Sequence, residues 1–504
     1  MYEYFPKQAD LKHGENNMAI RLFGDRIFSD QTLYEYLIEF LLVFVSPKDE
    51  DKEQGTMAFH TNLDSKLVYY VLPRMGLKRF IFYNRSKKDT KVPVDDRAYA
   101  DMKKVLVESL TAKGVEKNEA ESTIEAIQDL LYGYAAVLKN RSWTAQSLLP
   151  IAPELIFCEA MIQKTTRMSR INQDDAVAVE KEFDYSRHNF LARGGEVYYL
   201  HILQALQNSE EQRGELEALL KHLVTAKSKS FSNLANWIYD TWIKSQGIEL
   251  DELWRSNNLG FIPATGYLEC GKLTITELIN YLYTDMHPIS RLEILAKGIV
   301  MQVMRMMCRR SEQVLGISPL PWIIDMRSKK AGKTVRKISS ESYRRVDELL
   351  VNAVNKTTKD YLEENPDSAK KYTEIQYLTH ARNHTLNMFK RLGKIMQLII
   401  PARGDHERFS LSEDLVKFLV LSTLKPQEKI TFDTFLDDLY ERYRIVIGPS
   451  QYKKSIGEIE LDLEQSQVKL VCKLPRHFKC SNQPMVASVY AAKAVDNELH
   501  GMLG

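Results

Sequence analysis

His380 and His384 stand four residues apart on a predicted helix, a spacing that turns both imidazoles to one side as metal-binding pairs require. No third ligand is evident beside them, although Asp405 and His406 are the nearest candidates along the chain. Cys472, His477, Cys480 and His500 supply zinc-ligand types, but seven residues separate the two cysteines, which is not a knuckle spacing. Glu460, Asp462 and Glu464 with Lys469 have the residue types of a metal-dependent nuclease, in which carboxylates hold a divalent ion that orients water. The same alternation also describes the outward face of an amphipathic strand, where charges serve solubility and cross-strand pairing. Ala331-Gly332-Lys333-Thr334 ends like a phosphate-binding loop, but the position of its first glycine is Arg327, so a basic loop is the plainer reading. No G-x-S-x-G, H-E-x-x-H or C-x-x-C occurs. No catalytic residue, cofactor or metal site is assigned on these grounds.

Two further features bear on anions. Arg193-Gly194-Gly195-Glu196 precedes a predicted helix and is placed to present N–H groups to an anion. Its glycines would equally close a tight turn, and Glu196 already complements the helix dipole. Charge gives the sharper signal: residues 301–400 hold 19 Lys+Arg and 10 Asp+Glu, in a chain whose formal charge is only +2. Within 327–345 eight bases stand against one acid, Glu341. Duplex DNA rewards such clustering by counterion release, and Arg327, Lys329, Lys330, Lys333, Arg336 and Lys337 are the candidate phosphate contacts, with Lys453 and Lys454 as additions. RNA or an acidic protein surface would attract the same residues, and a solvated basic loop needs no ligand.

The elements that must position these residues are mostly helical in period. Near the N-terminus, Asp30 and Gln31 open a helix carrying Leu33, Leu37, Phe40, Leu41 and Phe44 at intervals of three and four. Residues 67–72 and 80–83 read as two paired strands, and 85–97 as a loop. From 98 to 315 helices are predicted at 153–164, 195–207, 212–225, 234–244 and 274–283, with Ser230 or Ser232 as a cap and a hinge over 262–271. A helix over 346–354 and a long one over 370–400 follow, ended by Pro401 and Gly404. The last hundred residues give an amphipathic helix at 414–424, a second capped by Thr431, a short third at 450–455, and alternating residues from Glu458 to Lys473. That is the order of a winged helix-turn-helix.

The expected fold is therefore mainly α and multidomain: an α+β N-terminal domain over 1–97, a helical domain over 98–315, the basic segment and long helix over 316–400, and a winged-helix-like C-terminal domain over 401–504. A length of 504 residues accommodates about three or four such units. The longest apolar run, Leu33–Val45, has 13 residues including Glu35 and Glu39, too short and polar to span a bilayer. The N-terminus lacks a signal-peptide pattern, and five dispersed cysteines imply no disulfide framework, so the cytoplasm is expected.

Three stretches carry a resemblance: Arg21-Leu22-Phe23-Gly24-Asp25-Arg26 running on to Tyr34-Glu35-Tyr36-Leu37-Ile38-Glu39-Phe40, Ala192 to Leu200, and Phe435-Leu436 through Arg442-Tyr443-Arg444-Ile445-Val446-Ile447-Gly448. Over about 40 residues they are similar to large accessory proteins of bacterial anti-phage or restriction-type gene clusters. The resemblance includes no catalytic signature and transfers no functional residue. It implies a non-enzymatic subunit working beside an ATPase, methyltransferase or nuclease. The expectation is a subunit of a defence complex that contacts duplex DNA with little sequence selectivity and has no membrane partner. A pure protein scaffold, with the basic segment incidental, and a nuclease using Glu460, Asp462 and Lys469 are the alternatives.

Overall fold

Two helices near the N-terminus show how local sequence starts each element. The Asn17 side chain accepts the Ala19 N–H at 3.1 Å and opens helix α1 (Met18–Phe23). The Glu35 carboxylate reaches back to the Thr32 N–H, the reciprocal half of a capping box, at the start of α2 (Leu33–Val45). Thr32, rather than Asp30 or Gln31, is thus the residue before the helix. The computed structural model describes the chain apart from residues 1–2, 9–16, 26, 28, 53–54, 73, 83–92, 138–144, 157, 162–187, 190–193, 226–228, 248–253, 327–332, 371, 457–485 and 489–504.

The molecule is mainly helical. Further helices are α3 (Met75–Phe82), α4 (Pro93–Thr111), α5 (Lys117–Tyr132), α6 (Gly194–Ala205), α7 (Glu210–Thr225), α8 (Lys229–Gln246), α9 (Leu268–Leu282) and α10 (Pro288–Leu315). They continue with α11 (Lys333–Glu364), α12 (Glu374–Ala381), α13 (Asn387–Ile395), α14 (Glu413–Thr423), α15 (Phe432–Tyr443) and α16 (Pro449–Ile456). None among the described residues is long and apolar enough to cross a membrane.

One hydrophobic cluster runs from Phe5 to Ile447 and gathers α2, α6, α9, α10, α11, α14 and α15. A second, with Leu77, Met102, Ile124, Ile238 and Trp242, holds α3, α4, α5 and α8 together. Several sequence expectations need correction here. Residues 75–82 are a helix, not a strand, because Leu77, Phe80 and Ile81 share a helical face against that second cluster. The strand Val68–Val71 pairs instead with Arg255–Asn258, antiparallel. The helix expected over 153–164 is a 3-10 turn, Pro153–Leu155, followed by strand Cys158–Met161 in a four-stranded antiparallel sheet. Apolar runs this short carry too few periods to separate strand from helix. Ser230 and Ser232 lie inside α8 rather than before it. The 262–271 stretch is no hinge: Ile262–Pro263 pairs with Tyr4–Phe5, and Arg310 donates to the Thr265 carbonyl at 3.3 Å. The long helix expected over 370–400 is interrupted by a π-helical turn, Arg382–Leu386, while α11 extends well beyond 346–354.

The main cluster contains a polar centre. Arg305 donates both terminal nitrogens to Glu277, at 2.8 and 3.0 Å, and a further bond to Thr274 at 2.8 Å. Gln302 and Tyr443 donate to the same carboxylate at 2.8 and 2.7 Å, and Tyr198 donates to Gln302 at 2.6 Å. The Arg305 guanidinium also lies over the Tyr443 ring, 4.3 Å from its centroid. Burial raises the pKa of the Tyr198 and Tyr443 phenols, so both stay protonated donors at neutral pH. Arg305→Met leaves the Glu277 carboxylate buried without its counter-charge and is expected to cost about 3–5 kcal/mol in urea denaturation at pH 7. Replacing Glu277 by Leu as well is expected to recover much of that loss, whereas a single-variant cost below about 1 kcal/mol contradicts the assignment.

Candidate nucleic-acid interface

A short scaffold flanks residues 327–332. Strand Trp322–Ile323 pairs in parallel with Ile445–Val446, with Trp322 N–H on the Arg444 carbonyl at 2.8 Å and Ile324 N–H on that of Val446 at 3.1 Å. The Trp322 ring stacks on Phe409, centroids 5.2 Å apart. Asp325, 1% exposed, accepts from Arg408 at 2.7 Å, and its N–H donates to the Phe409 carbonyl. On the far side of residues 327–332, serines of α11 bond to the same scaffold. Ser339 donates to the Phe409 carbonyl at 3.0 Å, Ser340 to that of Glu407 at 2.7 Å and Ser342 to that of Pro321 at 2.7 Å. Hydroxyls inside a helix ordinarily bond back to the preceding turn. Here they tie the helix to its neighbours, so both flanks of 327–332 are fixed to one base.

Of the predicted phosphate contacts, Arg327, Lys329 and Lys330 lie outside the described residues, and Lys333 is the first residue of α11. Arg336 and Lys337 are exposed on its first turns, and the first turn holds no acid. Arg344 and Arg345, the other two of the eight bases, are exposed too. Each faces an acid four residues away along the helix, Arg344 on Glu348 at 3.7 Å and Arg345 on Glu341 at 3.0 Å. Lys453 and Lys454 are exposed on α16, with Lys454 bonded to Asp437 at 2.7 Å. The structure brings α16 beside α11: Tyr452 is buried, which raises its phenol pKa, and Arg345 and Glu341 act on it electrostatically. Gln451 of α16 is 5% exposed.

A further positive group, missed in the sequence, borders this scaffold. Lys390 and Lys394 converge on Glu407 at 2.7 and 2.9 Å. They stand four apart on α13, but their partner lies on a loop that no helical period predicts.

The other candidate sites resolve differently. Glu39 accepts the Gly195 N–H at 2.9 Å and the Gln31 side chain at 2.8 Å, so the anion at the N-terminus of α6 is a carboxylate of the chain itself. A Cβ on Gly195 would sit 2.4 Å from that of Glu39 and 2.6 Å from the Phe40 nitrogen, so close packing of α2 against α6 demands glycine there. Arg193 lies outside the described residues. His380 packs edge-on to Tyr372, rings 5.6 Å apart, and His384 is exposed within the π-helical turn, where the four-residue spacing no longer aligns side chains. Asp405 and His406 are exposed on the loop after Pro401. Among the described residues no three His, Cys, Asp or Glu side chains are grouped to hold a metal. Glu460, Asp462, Glu464, Lys469, Cys472, His477, Cys480 and His500 fall outside the described residues. No protein-family model matches the chain, and neither a curated protein nor a solved structure does so.

The lysine pair gives a pH test. Burial alone would raise the Glu407 pKa, but hydrogen bonds from Lys390 and Lys394 outweigh it and hold the carboxyl down to about 2. A depressed carboxylate stabilises the fold above its unfolded pKa, about 4.3, and loses that contribution as pH falls towards the folded value. The stability difference between the parent chain and Glu407→Gln, measured by denaturation, should therefore be constant above about pH 5 and shrink as pH falls towards 2. A difference that grows on acidification contradicts the assignment.

Proposed function

We propose that the chain is a non-enzymatic, cytoplasmic subunit of a bacterial anti-phage defence complex that holds duplex DNA by its phosphates. The contacts come from Arg327, Lys329, Lys330, Lys333, Arg336 and Lys337, with Lys453 and Lys454 beside them, while other surfaces hold partners such as an ATPase, methyltransferase or nuclease. The observation that carries the reading is the start of α11, where Arg336 and Lys337 are exposed and the first turn has no acid. Cations at a helix N-terminus oppose the helix dipole and cost stability. That cost is offset where an anion binds, because the dipole and the side chains then attract it together. The elements on either side of 327–332 are bonded to one scaffold, so the exposed Arg336 and Lys337 stand on a fixed base.

The C-terminal segment, in this proposal, is a winged-helix-like unit. Its support is the order α14, strand, α15, strand, α16, strand, in which Lys429–Thr431 pairs antiparallel with Val486–Ser488. A second reading, a protein adaptor, draws on α15, whose Asp433 and Glu441 are exposed and whose Asp437 holds Lys454. Those acids would repel a phosphate backbone.

Fluorescence anisotropy on a labelled duplex separates the two. About six phosphate contacts predict an affinity loss of about 10³-fold between 50 and 200 mM salt. Changing the six bases from Arg327 to Lys337 to Gln should abolish binding at the lower salt. No binding by the parent chain would leave the adaptor, and equal binding by the variant would remove the basic run from the contact.

A further inference from the structure

Lys390 and Lys394 are cations that the contact proposed above leaves unused. They stand four residues apart on α13, a spacing at which like charges repel. Both converge on Glu407, at 2.7 and 2.9 Å, so two ammoniums share one carboxylate. Lys390 is 48% exposed, and Arg382 is exposed in the adjoining π-helical turn. Asp347 of α11 lies within electrostatic reach of Arg382, Lys390 and Glu407. Arg382, Lys390 and Lys394 against Asp347 and Glu407 leave one positive charge in excess.

The position of this group follows from the period of α11. Arg336, Ser340, Tyr343 and Asp347 recur at intervals of four, three and four, and so share one face of the helix. Ser340 donates to the Glu407 carbonyl at 2.7 Å, and Tyr343 and Asp347 both interact electrostatically with Glu407. The lysine pair therefore lies along the face that begins at Arg336, and Ser340 is one turn, about 6 Å of axis, further on. Tyr343 is buried, yet its hydroxyl bonds to no described group, so a spare donor stands beside the carboxylate.

The Glu407 backbone is pinned by Ser340 and by the pairing of Arg408–Phe409 with Ile399–Ile400. Its carboxylate can still leave the lysines by turning about its own side-chain bonds. Glu39, the other carboxylate that fills an anion position, is 4% exposed and holds a backbone N–H, so it has no such exit. An ion pair open to water is worth little, and a phosphate arriving on Arg336 and Lys337 competes with it directly.

We infer that Lys390 and Lys394 form a second phosphate site, continuous with Arg336 and Lys337, and that Glu407 is its internal competitor, displaced when the duplex backbone binds. This inference rests on the DNA-binding reading above. Glu407 then opposes binding while it stabilises the fold, so removing its charge has effects of opposite sign on the two.

The test is anisotropy on a labelled duplex with the full chain at pH 7. Glu407→Gln should bind about 2- to 30-fold more tightly at 50 mM salt, since each of the two exposed ion pairs it spares is worth roughly 1.4- to 5-fold. The salt dependence should steepen by about 1 to 2. The same variant is expected to be less stable, so tighter binding cannot come from a firmer fold. Glu125→Gln on α5 removes an equal charge far from α11 and should change affinity less than about 1.5-fold. Adding Lys390→Gln and Lys394→Gln to Glu407→Gln should cancel the gain. Lysine acetylation of the unaltered chain, read by mass spectrometry, should show Lys390 protected by a saturating duplex together with Lys337. Glu407→Gln binding no tighter than the parent, a gain that survives loss of both lysines, or equal labelling of Lys390 with and without DNA overturns the inference while leaving DNA binding intact. No binding at 50 mM salt by either the parent or Glu407→Gln overturns the DNA-binding reading itself, and the inference with it.

Discussion

Glu277 and Arg305 are full charges whose side chains are 0% and 2% exposed, and the rest of the structure is arranged so that they can be there. Withdrawing such ions from water costs several kcal/mol each, and their attraction offsets that cost only when geometry is good and the remaining donors and acceptors are satisfied. Thr274, Gln302 and Tyr443 supply further bonds to the pair, and Tyr198 holds Gln302 in turn. These residues come from α6, α9, α10 and α15. Sliding any of those helices by one residue would strand a charge or a hydroxyl in an apolar interior, so the network fixes their register more sharply than aliphatic packing does.

The consequence reaches the surface in a few steps. Tyr443 is the last residue of α15, and Arg444 then turns the chain through a left-handed conformation, φ 60°. Ile445–Val446 follows at once and pairs with Trp322–Ile323. Two residues on, Asp325 is clamped by Arg408, and the basic run begins just after it. The described cations of α11 and α16 are therefore carried on elements connected to the buried pair.

What the sequence disclosed follows from the same physics. Amphipathic helices with several full periods, such as α2, α14 and α15, were legible, and Thr431 does cap α15 by accepting the Thr434 N–H at 3.2 Å. The strand expected over 67–72 was legible and is present as Val68–Val71, but its partner was not, because Arg255–Asn258 lies far off in the sequence. The paired glycines were compatible with an anion site or a tight turn, and the structure places the Glu39 carboxylate, 156 residues away in sequence, on the Gly195 N–H. The three stretches that carried the family resemblance meet around these contacts, since Glu39 holds Gly195 and both Tyr198 and Tyr443 serve the Glu277 network. Within the described residues their contacts are packing and hydrogen bonding to one another. Net charge located the basic segment. Arg344 and Arg345 face acids four residues away along their own helix, a local pairing, whereas the burial of Gln451 depended on tertiary contacts.

Hydrogen exchange with and without a duplex of about 30 base pairs tests the central claim most directly. The first N–H groups of α11 have no intrahelical acceptor and exchange fast until a ligand covers them. DNA should slow exchange in the first turns of α11, with little change in α5 or α8 at the second core. Protection confined to those distant helices, or none at a DNA concentration that saturates binding, would contradict the account.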